Sequence, residues 1–142
     1  MRNAAIVVLS SVIAALLAFS SFTHLENGFR FLHSVLSYRL VNPDMGLAIA
    51  SLAPFVQLLL ALILLFDRRG RPGAFAVCAL IFLGYSLSQL TAHFRGLNIA
   101  CGCFGGNDES PIGVTSIGLV LGCMSASLVG LWLTRNTLKG AP

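Results

Sequence analysis

Four stretches of this chain run long and apolar without a single charge or histidine: Asn3–Thr23, Met45–Phe66, Pro72–Ala92 and Ser110–Thr134. A helix needs about 20 apolar residues to cross the hydrocarbon core of a bilayer, and each stretch meets that length. In hydrocarbon no water is present to bond the backbone, so a lone apolar span must satisfy its own N–H and C=O groups as a helix. Only 10% of the 142 residues are charged and 56% are hydrophobic, whereas a soluble domain carries roughly 25% charge. What lies outside the four stretches is nearly all connector. The expected fold is therefore all-α: an integral membrane four-helix bundle, one unit over residues 1–142, with no soluble domain.

The first stretch also invites a signal-peptide reading, because Arg2 precedes an apolar run that ends near the small residues Ala18–Ser21. A secretory apolar core usually spans about 7–15 residues before an A-x-A-like site. This run is longer and no such site precedes His24, so an uncleaved first span is expected. Orientation follows from basic residues, which accumulate on the cytoplasmic side. Arg2, Arg68, Arg69, Arg71, Arg135 and Lys139 flank one side, against Arg30, Arg39 and Arg95 on the other. Both termini are expected in the cytoplasm of a bacterial inner membrane, with the connector before the last span in the periplasm. The net charge of +4 has no aromatic-interleaved basic stripe to go with it, so nucleic acid is not an expected partner; the lipid bilayer is.

The first outer connector, "HLENGFRFLHSVLSYRLVNPD", is more than a loop. Phe29, Leu32, Val35, Leu36 and Leu40 recur at three- and four-residue spacing, the period of an amphipathic helix. An extracytoplasmic helix lying on the outer leaflet or folded over the bundle mouth is expected there, ended by Asn42-Pro43-Asp44 because the residue before proline is biased away from helix. The second span carries Pro54 and, one turn on, Gln57. Gln57 reads either as an interhelical hydrogen bond or as a proton or quinone contact. In the third span Tyr85, Gln89 and His93 recur every fourth residue and are expected to share a face. Polar groups inside a membrane usually aim at a bundle interior or cavity; His93 reads equally as an interfacial anchor. In the last span Gly118, Gly122, Ala126 and Gly130 form a small-residue stripe of the kind that lets helices approach closely.

Chemistry concentrates in "RGLNIACGCFGGNDESPIG". Cys101 and Cys103 stand one glycine apart, close enough for a disulfide, and the periplasm lets disulfides persist. A ring this small closes almost no chain, so stapling stability explains it poorly. Strained, exposed disulfides tend to be catalytic or regulatory. Two rivals stay open. The thiolates, with His93 and with His24 or His33, can be read as a copper or zinc site, although a structural zinc site needs four ligands. The Gly/Asn/Asp/Pro content of "FGGNDESP" also suits an inert loop, with Phe104 packing it down. Cys78 and Cys123 lie within spans and read as apolar fillers.

Three elements together resemble the MauE family, the methylamine-utilisation membrane proteins of the DoxX-like group. They are "Y-x-L-V-N-P" (Tyr38–Pro43), "L-A-P-F-V-Q-L-L-L" (Leu52–Leu60) and "R-G-L-N-I-A-C-G-C-F-G" (Arg95–Gly105). The last of these is the specific one. The resemblance implies a membrane redox component that works with a periplasmic thioredoxin-like partner in maturing methylamine dehydrogenase. By position it makes Cys101 and Cys103 the redox pair and gives Arg95 and Phe104 the shaping of the loop. In the family pattern an acid follows the proline of the second span; here that place holds Gln57, so any proton step assigned to the acid is absent or performed otherwise.

The expected activity is thiol–disulfide exchange at Cys101 and Cys103, with Arg95 or His93 lowering a thiol pKa. Gln89 and Tyr85 would line a route to a membrane electron carrier such as a quinone. The competing class is a non-enzymatic copper or zinc carrier or maturation scaffold, in which the same cysteines only bind.

Overall fold

The computed structural model describes residues 2–97 and 114–139, all-helical apart from short turns. Helix α1 spans Arg2–Glu26, α2 Gly28–Ser37, α3 Pro43–Phe66, α4 Arg71–Phe94 and α5 Val114–Lys139. Four of these, α1, α3, α4 and α5, are long and apolar enough to cross a membrane. The short α2 is the helix expected in the first connector. Its two aromatic residues face different ways. Phe31 is the buried residue, while Phe29 is 92% exposed. Two residues turn a helix by about 200°, so the two rings point nearly opposite ways. Leu40 falls beyond the helix, where Arg39 takes a left-handed φ of 51° and the chain turns toward α3.

Pro43 starts α3 at its first turn, where a missing N–H breaks no bond. At the other end, Arg71 holds the last carbonyls of α3: Nε donates to the Leu64 carbonyl at 2.9 Å and Nη2 to that of Leu65 at 3.2 Å. Helix ends otherwise leave such carbonyls unpaired.

Outward positions are hydrocarbon: Phe22, Leu52, Phe55, Leu59, Leu80 and Trp132 are exposed, as a lipid-facing surface requires. Several inward positions are polar, among them Ser10, Ser21, His24, Gln57, Gln89 and Ser127. Ser86 and Ser127 bond carbonyls of their own helices at 2.8 Å each, a local satisfaction common for hydroxyls. The apolar core joins Ile13, Ala14 and Leu17 with Leu64, Phe75 and Phe82, and both Cys78 and Cys123 belong to it.

The four spans are not packed evenly. The α1 helix lies chiefly on α3, and α4 on α5, while α3 and α4 touch only lightly. Across the first pair Ser21 Oγ donates to the Pro54 carbonyl at 2.7 Å. The small-residue stripe on α5 also differs from expectation. Only Gly130 is in close approach: a Cβ there would meet the Phe75 ring at 2.5–2.8 Å, whereas at Gly118 and Gly122 it would meet nothing within 4 Å. A sequence repeat of four drifts by about 40° per step around a helix, so a long stripe cannot keep one partner.

Candidate functional site

Cys101, Cys103 and Phe104 lie outside the described residues, but the point where their connector leaves the bundle is well defined. Helix α4 ends in a double-bonded stop: Gly96 N–H donates to the His93 carbonyl at 3.1 Å and Leu97 N–H to the Ala92 carbonyl at 3.0 Å. This pattern requires a left-handed residue after the helix end, and Gly96 supplies it at φ 64°. Arg95 reaches sideways, with Nη1 donating to the Tyr38 carbonyl at 3.3 Å. The end of α2 and the end of α4 are thereby tied together. The "R-G" that opens the specific motif thus stops α4 and anchors it, setting where the cysteine connector begins.

Gly96 gives a direct prediction. A β-branched residue at positive φ is strained by roughly 1–2 kcal/mol, so Gly96→Val is expected to destabilise the chain by about that amount. The same change is expected to alter maleimide reactivity at Cys101 and Cys103, because the connector then departs in another direction. Thermal unfolding and labelling rates of the purified variant check both.

Beneath this exit, α2 is docked by a second contact. His24 is 2% exposed; its ring stacks on Phe31 with centroids 3.8 Å apart, and Nε2 lies 3.1 Å from Ser20 Oγ. This buried histidine carries the attachment of α2 to α1. The only sequence signal for it is the Ser20–His24 spacing of four at the end of the first span.

The supporting residues separate into two groups. Gln57 and Tyr85 come together: Nε2 of Gln57 donates to the Tyr85 hydroxyl at 3.1 Å, bridging α3 and α4. The interhelical reading of Gln57 is therefore observed. Gln89, one turn on from Tyr85, is fully buried. His93 departs from that face and is exposed. Eight residues rotate a helix by about 80°, so the third member of a four-residue repeat no longer lies above the first. Among the described residues no group of three His, Cys, Asp or Glu side chains is placed to hold a metal; His24 faces Phe31, and His33 lies beside Ser37 Oγ on exposed α2.

Because α3 and α4 touch only lightly, a cavity of about 510 Å³ opens between them under α2. Phe31 and Val35 of α2, Leu52 and Val56 of α3, and Ile81 of α4 form apolar walls, and the Gln57–Tyr85 pair lines it as well. No residue pattern within one segment announces this space, because three helices must be placed to create it.

Residues 2–134 match the family described as "Methylamine utilisation protein MauE". No curated protein and no solved structure matches the chain.

Proposed function

The chain belongs to the methylamine utilisation protein MauE family, and from that premise we propose that it is a membrane thiol–disulfide component in the maturation of methylamine dehydrogenase. The observation that carries the reading is the Cys101-Gly102-Cys103 triplet, which lies inside the matched stretch. Its partner is a periplasmic protein of the thioredoxin kind. The four spans sit in the bacterial inner membrane with both termini in the cytoplasm, as the basic residues of the connectors favour. The cysteine connector, which follows Arg95 and Gly96 in the chain, then belongs to the periplasmic side.

Exchange proceeds in two displacements. A thiolate of one protein attacks the disulfide of the other, joining them by a mixed disulfide and releasing one thiolate. The second cysteine of the attacking pair then displaces the partner, so two electrons pass and a new intramolecular disulfide forms. The pair with the lower reduction potential is the donor. Arg95 is engaged with Tyr38, which makes it a positioning residue for the connector; His93, exposed at the same end of α4, is the other basic side chain there, and a positive charge beside a thiol favours its thiolate.

Thiol trapping in native membranes tests this. After the redox buffer is stepped, maleimide labelling should show Cys101 and Cys103 interconverting together between thiol and disulfide. Cys78 and Cys123, buried in the core, should stay unlabelled throughout. The midpoint should fall in the range of thioredoxin-like proteins, roughly −270 to −120 mV. Loop thiols that stay reduced under oxidant, or that label only after a chelator is added, would replace this reading with metal binding.

A further inference from the structure

We propose that the cavity between α2, α3 and α4 is a binding site for an isoprenoid quinone, held at its ring by Gln57 and Tyr85. The depth of the polar pair carries the argument. Gln57 stands 14 residues after the start of α3 and 9 before its end, counting 57 − 43 and 66 − 57. At 1.5 Å per residue it is about 21 Å from one helix end and about 14 Å from the other. Tyr85 stands equally far from the ends of α4, 85 − 71 and 94 − 85. In a hydrocarbon core about 30 Å thick these side chains lie near the midplane. Phospholipids present only methylene groups at that depth, and a polar side chain facing them is unfavourable. A quinone brings ring oxygens on a lipid-soluble body to the same level.

Hydrogen bonding points the same way. Gln57 is 2% exposed, yet its Oε1 has no hydrogen-bond partner among the described residues. A buried acceptor left so is costly. A quinol O–H supplies the missing donor, and the oxidised ring, a pure acceptor, is met by the amide turned to present its N–H. The walls suit the rest of the molecule: Leu52, Val56, Leu80 and Ile81 are hydrocarbon. Gly84 leaves room beside the pair, since a Cβ there would meet nothing within 4 Å. A space of about 510 Å³ is of the size that ligand sites usually have.

Binding does not depend on the cysteine chemistry proposed above. Turnover does rest on it: oxidation of the Cys101/Cys103 dithiol to a disulfide releases two electrons and two protons, which convert the quinone to the quinol.

The test uses the full chain in quinone-free phospholipid nanodiscs, titrated with radiolabelled decyl-benzoquinone. Saturable binding is expected, and the Cys101→Ser/Cys103→Ser chain should bind equally, which separates this proposal from the redox reading. Gln57→Leu should weaken binding about tenfold, the worth of one hydrogen bond. Gly84→Leu puts a side chain at the cavity wall where a Cβ would meet nothing within 4 Å and improves helix propensity; it should abolish binding while circular dichroism and thermal unfolding stay as in the parent. Full affinity in folded Gly84→Leu would overturn the site. So would equal displacement of the probe by decylbenzene, which has the tail and no ring oxygen; that result would mark an acyl-chain groove.

Discussion

Serine at both Cys101 and Cys103 is expected to lower maturation of the dehydrogenase to background while leaving the amount of chain in the membrane unchanged. A hydroxyl cannot form the mixed disulfide on which exchange depends. The four apolar spans lie in other residues, and the core cysteines Cys78 and Cys123 are untouched. The single variants are more informative still. With one thiol left, the attacking cysteine can join the partner but nothing resolves the link, so a covalent complex should accumulate in one single-serine chain and not in the other. Dehydrogenase activity in cells, scored beside non-reducing gels, reads both results. Normal maturation with the double-serine chain would end the redox reading, whatever the labelling shows.

The largest stability effect is expected at Gly130. A Cβ there would lie 2.5–2.8 Å from three carbons of the Phe75 ring, and Phe75 is fully buried, so the ring has nowhere to swing. Membrane helices gain little from hydrophobic burial against one another; close packing is what joins them. Helix α5 is the main partner of α4, and Gly130→Leu must therefore push this pair apart. Overpacking of this kind typically costs about 1–3 kcal/mol, and the upper end is expected here. Gly122→Leu is the matched control, expected within about 0.5 kcal/mol of the parent, because nothing among the described residues lies within 4 Å of its Cβ. Denaturation in detergent measures both. Combining Gly130→Leu with Phe75→Ala should recover part of the loss, since contacting residues couple. A Gly130→Leu chain as stable as its parent would mean that α4 and α5 do not meet here.

These two predictions rest on different kinds of legibility. The four spans could be read from the residues because hydrocarbon allows one answer for a long uncharged run. Starts and stops were less legible: proline bias at Asn42-Pro43 predicts the end of the connector helix, yet α2 already ends at Ser37 and Pro43 opens α3. Faces were harder. Phe29 and Phe31 are both aromatic and two apart, and only the placement of His24 decides that Phe31 turns inward. In a soluble helix polarity would separate the faces, but here the outward side is as apolar as the core, so Gly118, Gly122 and Gly130 look alike in sequence. The Tyr85–Gln89–His93 repeat fails at its third member for geometric reasons alone. Contacts such as Ser21 with the Pro54 carbonyl join residues 33 positions apart and leave no local trace. The cysteine pair is the reverse case: its chemistry is legible from spacing, while Cys101, Cys103 and Phe104 lie outside the described residues.

The double grip of Arg71 on the end of α3 bears on how the chain is made. Arg71 belongs to the basic cluster that weighs in orientation at insertion, and its guanidinium also closes the helix on the far side of the turn. The α3–α4 hairpin is thus fastened by a residue whose charge also counts under the positive-inside rule. Arg71 cannot be traded freely: lysine would keep the topogenic signal yet lose the planar fork that reaches two carbonyls at once.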